Sequence, residues 1–267
     1  MYKNPLDRIV LNEELQEALG QSDRLIIPES RQQLIEMAVG YDARGYYEVV
    51  SEIPSNGKIL EATVAKCKNG VVANYQDVYM SRRDPDAIIN ADDKPTDKVR
   101  YKDKYGEDFE TLRKSTLKWL SSQHLIVMPF MAGGSKEHGY PAPLIAPENN
   151  AFFVTALVDL QGFIPASEVP DSFKPRSIIY LAPPFRHTHF GGKQVVLHNR
   201  LENMHEIFSY NLYPGPSAKK GVYGMLLTIG EEEGWITAHA STVKVISPYD
   251  NVITFMHEGA SGGGKSE

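Results

Sequence analysis

The glycine-rich segment 259–266, Gly-Ala-Ser-Gly-Gly-Gly-Lys-Ser, constrains this chain more than any other, because it meets the pattern G-x-x-x-x-G-K-[ST] in full. Glycines at these positions let successive backbone N–H groups line one concavity that holds phosphate oxygens. In such a loop Lys265 reaches the β and γ phosphates, and the Ser266 hydroxyl binds magnesium. The predicted nucleotide-binding residues are Gly259, Ala260, Ser261, Gly262, Gly263, Gly264, Lys265 and Ser266.

A flexible glycine-rich tail is the alternative interpretation of this segment. The β-branched apolar run at 252–256 predicts the strand that a phosphate-binding loop needs before it, and this favours the P-loop. A P-loop also aims the N-terminus of a following helix at the phosphate, and residues 265–267 are too few to form one. We therefore expect an N-terminal part of a longer protein, cut at its nucleotide site, that binds ATP poorly.

Composition narrows the class of protein. The 267 residues are 42% hydrophobic and 23% charged, with a net charge of −6, so nothing indicates a basic nucleic-acid-binding surface. The longest apolar runs, 125–132 and 151–158, are too short to span a bilayer, and no secretory signal is visible. The single cysteine, Cys67, excludes an internal disulfide framework and is expected to be buried. These features predict a cytoplasmic protein, and they leave its oligomeric state open.

Hydrophobic periodicity predicts a mixed α/β fold. Apolar residues at helical spacing indicate helices at 11–19, 31–38, 109–121 and 151–160, with a further candidate at 202–210. Strands are predicted at 46–50, 59–65 and 71–75 as an antiparallel region, and at 125–130, 177–181, 194–198, 235–240, 242–246 and 252–256. Segment 221–229 fits either a strand or the start of a helix, and 84–108 and 131–148 are predicted loops.

Several motifs carry a family resemblance. The segment Ser261-Gly-Gly-Gly-Lys-Ser-Glu267 is similar to the P-loop of phosphoenolpyruvate carboxykinases and HPr kinase/phosphorylases, and its last three residues are closer to the HPr kinase form. Upstream segments resemble ATP-type carboxykinases in the same order: Gly70-Val-Val-Ala73, Tyr79-Met-Ser-Arg-Arg-Asp-Pro85, His124-Leu-Ile-Val-Met-Pro-Phe-Met-Ala-Gly-Gly134, Phe173-Lys-Pro175, Tyr213-Pro-Gly-Pro-Ser-Ala-Lys-Lys-Gly221 and Thr237-Ala-His-Ala-Ser241. As a whole, the chain resembles an uncharacterised bacterial domain-of-unknown-function family of the DUF4914 type.

The resemblance implies an architecture and a set of site residues. Residues 1–220 would form a carboxykinase-like N-terminal domain, and 221–267 the beginning of a P-loop nucleotide-binding domain. Lys220 and His239 match the lysine and histidine that bind catalytic manganese in carboxykinases. Tyr213 matches a tyrosine near the carboxylate or carbon dioxide site. Without the resemblance, Lys220 would be taken for a solvated loop lysine and His239 for a structural histidine.

Arg83 matches the arginine that grips the substrate carboxylate, although the alignment could slip by one residue to Arg82. A planar guanidinium suits that task. The family has Ser-Pro-Lys after the arginine, whereas this chain has Asp84-Pro85-Asp86. Two acidic residues beside an anion site weaken the specific case for oxaloacetate.

Two further groups of residues are candidates from their pattern alone. His187 and His189, with Arg186 beside them, could bind a metal from a strand face, although anion binding or simple exposure fits as well. Lys136 and His138 follow a predicted strand within a glycine-rich loop, a position that often lies near the ligand crevice of an open α/β sheet.

The sequence therefore predicts a phosphoryl-transfer enzyme of the carboxykinase-like class that acts on a small acidic metabolite. The resemblance implies ATP or GTP, Mg²⁺ and Mn²⁺ as cofactors. Arg83, Tyr213, Lys220 and Lys265 would be catalytic, and Lys220, His239 and Ser266 would bind metal. The alternatives are an HPr-kinase-like or small-molecule kinase, and a nucleotide-binding regulatory protein without catalysis.

Overall fold

The computed structural model describes residues 5–54, 57–80, 84–133, 138–171, 173–259 and 263–264. Its strands are β1 (Leu25–Ile26), β2 (Tyr46–Ile53), β3 (Gly57–Cys67), β4 (Gly70–Tyr75), β5 (Ile88–Asn90), β6 (Leu125–Ala132), β7 (Tyr140–Pro147), β8 (Ser177–Leu181), β9 (Val196–Leu201), β10 (Met204–Ser209), β11 (Ala240–Ile246) and β12 (Val252–Glu258). Its helices are α1 (Glu13–Gly20), α2 (Arg31–Ala38), α3 (Tyr101–Tyr105), α4 (Phe109–Ser121), α5 (Ala151–Gln161), α6 (Pro184–Phe190) and α7 (Lys220–Glu232). The chain divides into two compact units, Met1–Met225 and Leu226–Glu267.

A seven-stranded mixed sheet in the order β1-β6-β7-β8-β10-β9-β5 organises the first unit. Strands β7, β8 and β10 run parallel to one another, while β6 and β9 are antiparallel to their neighbours β7 and β10. All five residues of β8 are buried, as expected for a central strand that is covered on both faces. The carboxyl ends of β7, β8 and β10 consequently meet at one edge of the sheet.

Helices cover this sheet and begin where the sequence places capping residues. The side chain of Asn12 accepts a hydrogen bond from the Leu15 amide at 2.9 Å, and Ser30 accepts one from Gln33 at 3.1 Å. Helix α4 packs on α1, and α5 packs on α2, β6 and β7. The cluster that includes Leu15, Leu112, Ile178, Tyr180 and Phe208 is the core between α1, α4 and the sheet.

The three-stranded antiparallel sheet β2-β3-β4 also belongs to the first unit. Its register runs from Tyr46 opposite Ala65 to Ile53 opposite Gly57, with a bulge between Val49 and Val50. Strand β4 packs on α5 and α2. The antiparallel region predicted at 46–75 is therefore confirmed.

The predicted helices at 11–19, 31–38, 109–121 and 151–160 are confirmed as α1, α2, α4 and α5, and segment 221–229 lies in α7. The predicted strands at 125–130, 177–181, 194–198, 242–246 and 252–256 are also found, with bounds shifted by up to three residues. The mixed α/β class is thus confirmed in outline.

Several local predictions are wrong. Segment 202–210 is not a helix but contains β10, because Glu202 and Asn203 form the tight turn of the β9–β10 hairpin, with Asn203 at φ 60°. The supposed loop at 131–148 contains β7, and 84–108 contains β5 and α3. Residues 235–239 form no strand, and Cys67 is exposed rather than buried.

The second unit contains the end of α7 and a hairpin of β11 and β12. The hairpin pairs Ala240 with Glu258 and Ile246 with Val252 in continuous antiparallel register. All seven residues of β12 are exposed. None of the helices in the described ranges is both long enough and apolar enough to cross a bilayer.

Candidate functional site

Polar segments leave the seven-stranded sheet where its three parallel strands end. Asn149 and Asn150 follow β7, Pro183 to His187 follow β8, and Asn211 to Lys220 follow β10. In open α/β sheets, ligands bind outside the carboxyl ends of the strands. This edge is therefore the candidate site of the first unit.

Two segments that carry motif residues contact each other at this edge. Tyr75 ends β4, eight positions before Arg83 in the sequence, and its hydroxyl donates a hydrogen bond to the Leu212 carbonyl at 3.0 Å. The rings of Tyr75 and Tyr213 meet edge to face, with centroids 6.2 Å apart. Strand β4, which begins the first of these motif segments, and the segment 212–213 are thus joined in the fold.

A buried asparagine fixes the backbone that leads to Tyr213. The side-chain oxygen of Asn211 accepts a hydrogen bond from the Tyr213 amide at 3.0 Å, and its nitrogen donates to Gln194 Oε1 at 3.1 Å. Ser209 Oγ donates to the Asn211 carbonyl at 2.9 Å and lies 3.1 Å from Ser217 Oγ. These bonds hold Tyr213 half-buried at the end of β10.

Lys220 begins α7 directly after a π-helical turn, Gly215–Lys219. Such turns are rare and often occur at functional sites. A Cβ on Gly215 would lie 2.8 Å from Cε1 of Tyr213, so glycine is needed for the close approach of the ring. The Lys220 ammonium lies 5.7 Å from the centroid of the Tyr223 ring, and Lys220 is half-buried. Lys219 beside it is exposed.

A buried charged cluster lies around α6, and we call it the Arg186 cluster. Arg186 donates to Glu61 Oε2 at 2.9 Å and to Asp77 Oδ2 at 2.8 Å, and it also bonds the Gly192 carbonyl. Glu61 Oε1 lies 2.7 Å from Nε2 of His187. Burial acts to raise the pKa of Asp77, but hydrogen bonds from Arg186 and the Tyr79 amide lower it overall. The cluster thereby fixes the turn after β4 to the helix after β8.

The two histidines of the His-x-His pattern do not share a strand face, because both lie on helix α6. The prediction of a strand here is wrong: Pro184 begins a helix and Gly191, at φ 58°, ends it. His187 belongs to the Arg186 cluster, whereas His189 stacks on Phe185 with centroids 5.1 Å apart. Burial lowers the pKa of His189. The described residues contain no group of three or more His, Cys, Asp or Glu side chains that could hold a metal ion.

The second unit holds the other motif residues. His239 is exposed and lies directly before β11. Strand β12 ends at Glu258 and leads to Gly259, so the strand predicted before the glycine-rich segment is confirmed. Gly263 and Gly264 form a bend, with Gly264 at φ 75°. Lys220 lies in the first unit and His239 in the second.

Other predicted residues lie outside the described ranges: Arg82, Arg83, Lys136, Ala260, Ser261, Gly262, Lys265 and Ser266. His138 is described, and it is an exposed turn residue two positions before β7. The predictions for these positions stay predictions.

The sequence reasoning missed Glu61, Asp77 and Asn211 at this edge. Glu61 offered a signal, since it is a charged residue within the apolar run of β3 and its side chain is fully buried. Asn211 followed a predicted element of the wrong type, which hid its position at the end of a strand.

Comparison with known proteins gives one family. The model of a family described as a domain of unknown function, DUF4914, matches residues 11–267. No curated protein matches the chain.

Proposed function

Because this chain belongs to the DUF4914 family, a domain of unknown function, its activity has to be inferred from its own residues, and we propose nucleotide-dependent phosphoryl transfer to or from a small acidic metabolite. The observation that carries the proposal is the contact of Tyr75 with Leu212 and Tyr213. It joins the strand before Arg83 to the segment with Tyr213 and Lys220, and these are the two segments whose resemblance to carboxykinases implies substrate binding.

Each candidate residue has a specific role in the proposed reaction. Gly259 to Gly264, Lys265 and Ser266 hold the polyphosphate of ATP or GTP and its Mg²⁺. Lys220 would be a nitrogen ligand of Mn²⁺, and the resemblance assigns the same role to His239. Arg83 binds the carboxylate of the metabolite, and Tyr213 lies beside it. The bound nucleotide supplies or accepts the phosphoryl group, while the protein positions the reactants and neutralises charge.

A kinase of a protein or of another small molecule is the second candidate. The Lys265-Ser-Glu267 ending favours it, since this form of the loop resembles HPr kinase. The acidic residues Asp84 and Asp86 beside Arg83 also suit oxaloacetate poorly. The third candidate function is that of a regulatory protein that binds nucleotide through the same loop and catalyses no reaction.

An isotope-exchange assay distinguishes the carboxykinase reaction from the other two candidate functions. The product of the complete reading frame is incubated with labelled carbon dioxide, oxaloacetate, Mn²⁺ and either ATP or GTP. We expect nucleotide-dependent exchange that Lys220→Ala and Lys265→Ala abolish, and that Lys219→Ala leaves largely intact because Lys219 is exposed. Absence of exchange would rule out the carboxykinase reaction.

If exchange is absent, ATP turnover is measured with a panel of metabolites and proteins. Turnover that requires an added acceptor identifies a kinase. Binding of nucleotide without turnover identifies a regulatory protein, and absence of both contradicts the proposal as a whole.

A further inference from the structure

A cavity lies at the same edge of the sheet, away from the segment that carries Tyr213 and Lys220. It has a volume of about 770 Å³ and lies between β2 and the residues that follow β7 and β8. The lining residues that matter here are Tyr47, Ser51, Trp119, Gln123, Asn150 and Pro183. This volume is typical of small-molecule sites. Neither Tyr213 nor Lys220 lines it.

Two buried polar side chains face this cavity without protein partners. Asn150 is only 2% exposed, and its amide makes no hydrogen bond to any residue that the structure describes. Ser51 is 5% exposed, and its hydroxyl likewise has no partner within the described ranges. The polar atoms of both side chains keep access to solvent in the cavity, since neither is among the fully enclosed polar atoms that lack a partner. A ligand in the cavity would supply the missing hydrogen bonds.

Two aromatic rings form walls of the cavity, and packing holds both of them. The Tyr47 ring lies against Gly40, where a Cβ would be 2.4 Å from Cδ2 of the ring. Trp119 contacts Phe185 edge to face, with ring centroids 5.9 Å apart. Burial raises the pKa of Tyr47, so its phenol stays neutral. Rings fixed in this way offer stacking surfaces that need no reordering when a planar ligand binds.

The charges of the lining neutralise one another at the mouth of the cavity. Lys58 Nζ lies 3.2 Å from Glu52 Oε1, and both side chains are about three-quarters exposed. The remaining lining residues are neutral: asparagine, glutamine, serine, proline, glycine, aliphatic and aromatic side chains. A neutral interior favours a neutral ligand, because a charged one would lose its hydration without gaining a partner.

We propose that this cavity binds an uncharged planar heterocycle that presents a hydrogen-bond donor and an acceptor side by side, as the base of a purine nucleoside does. The Asn150 amide carries a donor and an acceptor on one edge, which is the geometry that asparagine uses to pair with adenine. Tyr47 and Trp119 supply faces on which a planar base can stack. Ser51 adds a hydroxyl that can donate or accept.

Fluorescence of Trp119 tests the proposal. The chain has two tryptophans, and the other, Trp235, is exposed in the second unit, so a Trp235→Phe variant reports on Trp119 alone. Adenosine, guanosine, ribose and inorganic phosphate are titrated separately. We expect saturable quenching by at least one of the two nucleosides and none by ribose or phosphate. The same quenching should persist in Lys265→Ala, which separates this site from the P-loop.

Substitutions locate the site. Asn150→Asp keeps the size and one acceptor but removes the donor, and we expect binding at least about tenfold weaker. Ser51→Ala should weaken binding severalfold, and it carries the test if circular dichroism shows that Asn150→Asp does not fold. Asn74→Asp is the control, since Asn74 is exposed on β4 and does not line the cavity. No quenching by either nucleoside, quenching by phosphate, or equal weakening by Asn74→Asp overturns the proposal.

Discussion

Two arginine clusters in the first unit share their components but differ in geometry. In the Arg186 cluster the arginine contacts the buried Glu61 and the part-exposed Asp77. In the second, which we call the Arg113 cluster, the arginine contacts the buried Glu206 and the part-exposed Glu14. Each arginine therefore meets one carboxylate inside the protein and at least one near its surface, and Arg113 has Glu110 as a third at 3.7 Å.

The bonding pattern separates the clusters. Arg113 grips Glu206 as a fork, with Nε and Nη2 each 2.9 Å from a carboxylate oxygen, and Asn199 donates to the same carboxylate at 2.8 Å. Arg186 uses its terminal nitrogens to bridge β3, the turn after β4 and α6, and its Nε has no hydrogen-bond partner among the described residues. Arg113 is thus a clamp between α4 and β10, whereas Arg186 connects three segments at the candidate site.

The largest expected effect is the loss of either arginine. Arg113→Met and Arg186→Met each leave a buried glutamate without its cationic partner, so we expect each to lower the free energy of unfolding by about 3–5 kcal/mol. Urea denaturation measures both values. Arg44→Met is the control, because Arg44 pairs with Asp42 on the surface and its loss should cost little. If Arg186→Met lowers the free energy of unfolding by less than about 1 kcal/mol, the contacts of Arg186 with Glu61 and Asp77 do not stabilise the fold.

Neither cluster could be predicted from the sequence, because each joins residues about 90 to 130 positions apart, such as Arg113 with Glu206 and Arg186 with Glu61. Local patterns predicted α2 and α4 to the residue, since capping residues and apolar spacing act within one helix. Strand β7 was missed because Pro141 and Pro143 indicate a loop. They are tolerated because β8 pairs only with Leu144 and Ile145, which leaves those prolines beyond it.

The candidate site was foreseen only where a motif named its residues. Tyr213 and Lys220 were singled out by resemblance, and the fold places them after β10. Asn150 and Ser51 gave no signal, because an asparagine before a helix and a serine in a strand are common as purely structural residues. Their interest arises only from their position in the lining of a cavity, which a sequence does not reveal.

A double-mutant cycle sharpens the contrast between clamp and bridge. We expect the coupling energy of Arg113 with Glu206 to be near 3 kcal/mol, and that of Arg186 with Glu61 to be about half as large, because the first pair shares two short bonds and the second shares one. Arginine→Met and glutamate→Gln variants are combined in urea unfolding. Equal coupling energies would contradict the distinction drawn from geometry.

The pH dependence of stability tests a pair of buried, neutral histidines, His198 and His205, beside the Arg113 cluster. His205 precedes Glu206 on β10, and its Nε2 lies 2.8 Å from Nδ1 of His198. Burial, reinforced by Arg200, lowers the pKa of His198 from 6.5 to about 4. Burial, together with the neighbouring His198, lowers that of His205 as well. Between pH 6.5 and 4 the unfolded chain therefore binds more protons, and stability falls as the pH falls.

We expect a slope of up to about 1.4 kcal/mol per pH unit for each of these histidines, measured by urea unfolding between pH 6.5 and 4.5. The pKa values of Glu14 and Asp77 are lowered, so neither of these two carboxylates accounts for the slope. A His198→Gln/His205→Gln variant should flatten the profile, whereas His257→Gln on the exposed β12 should not. A profile that stays steep in the double variant would assign the slope to other groups.

The smallest expected effect concerns the hydrogen bond from Tyr75 to the Leu212 carbonyl, which, like the contact of Arg186 with Asp77, connects the end of β4 and the turn after it to the candidate site. Tyr75→Phe removes the hydroxyl that donates to the Leu212 carbonyl but keeps the ring against Tyr213, so we expect a loss of about 1 kcal/mol. Tyr46→Phe is the control, because Tyr46 is exposed and its hydroxyl lies 3.4 Å from Glu48. Tyr75 and Asp77 fix the same turn, so the costs of Tyr75→Phe and Arg186→Met should not add. Arg113→Met is the reference, because its cost in free energy of unfolding should add to that of Tyr75→Phe. If the costs of Arg186→Met and Tyr75→Phe also add, Arg186 and Tyr75 act on separate parts of the fold. The contact of Arg186 with Asp77 would then not help to hold the turn after β4.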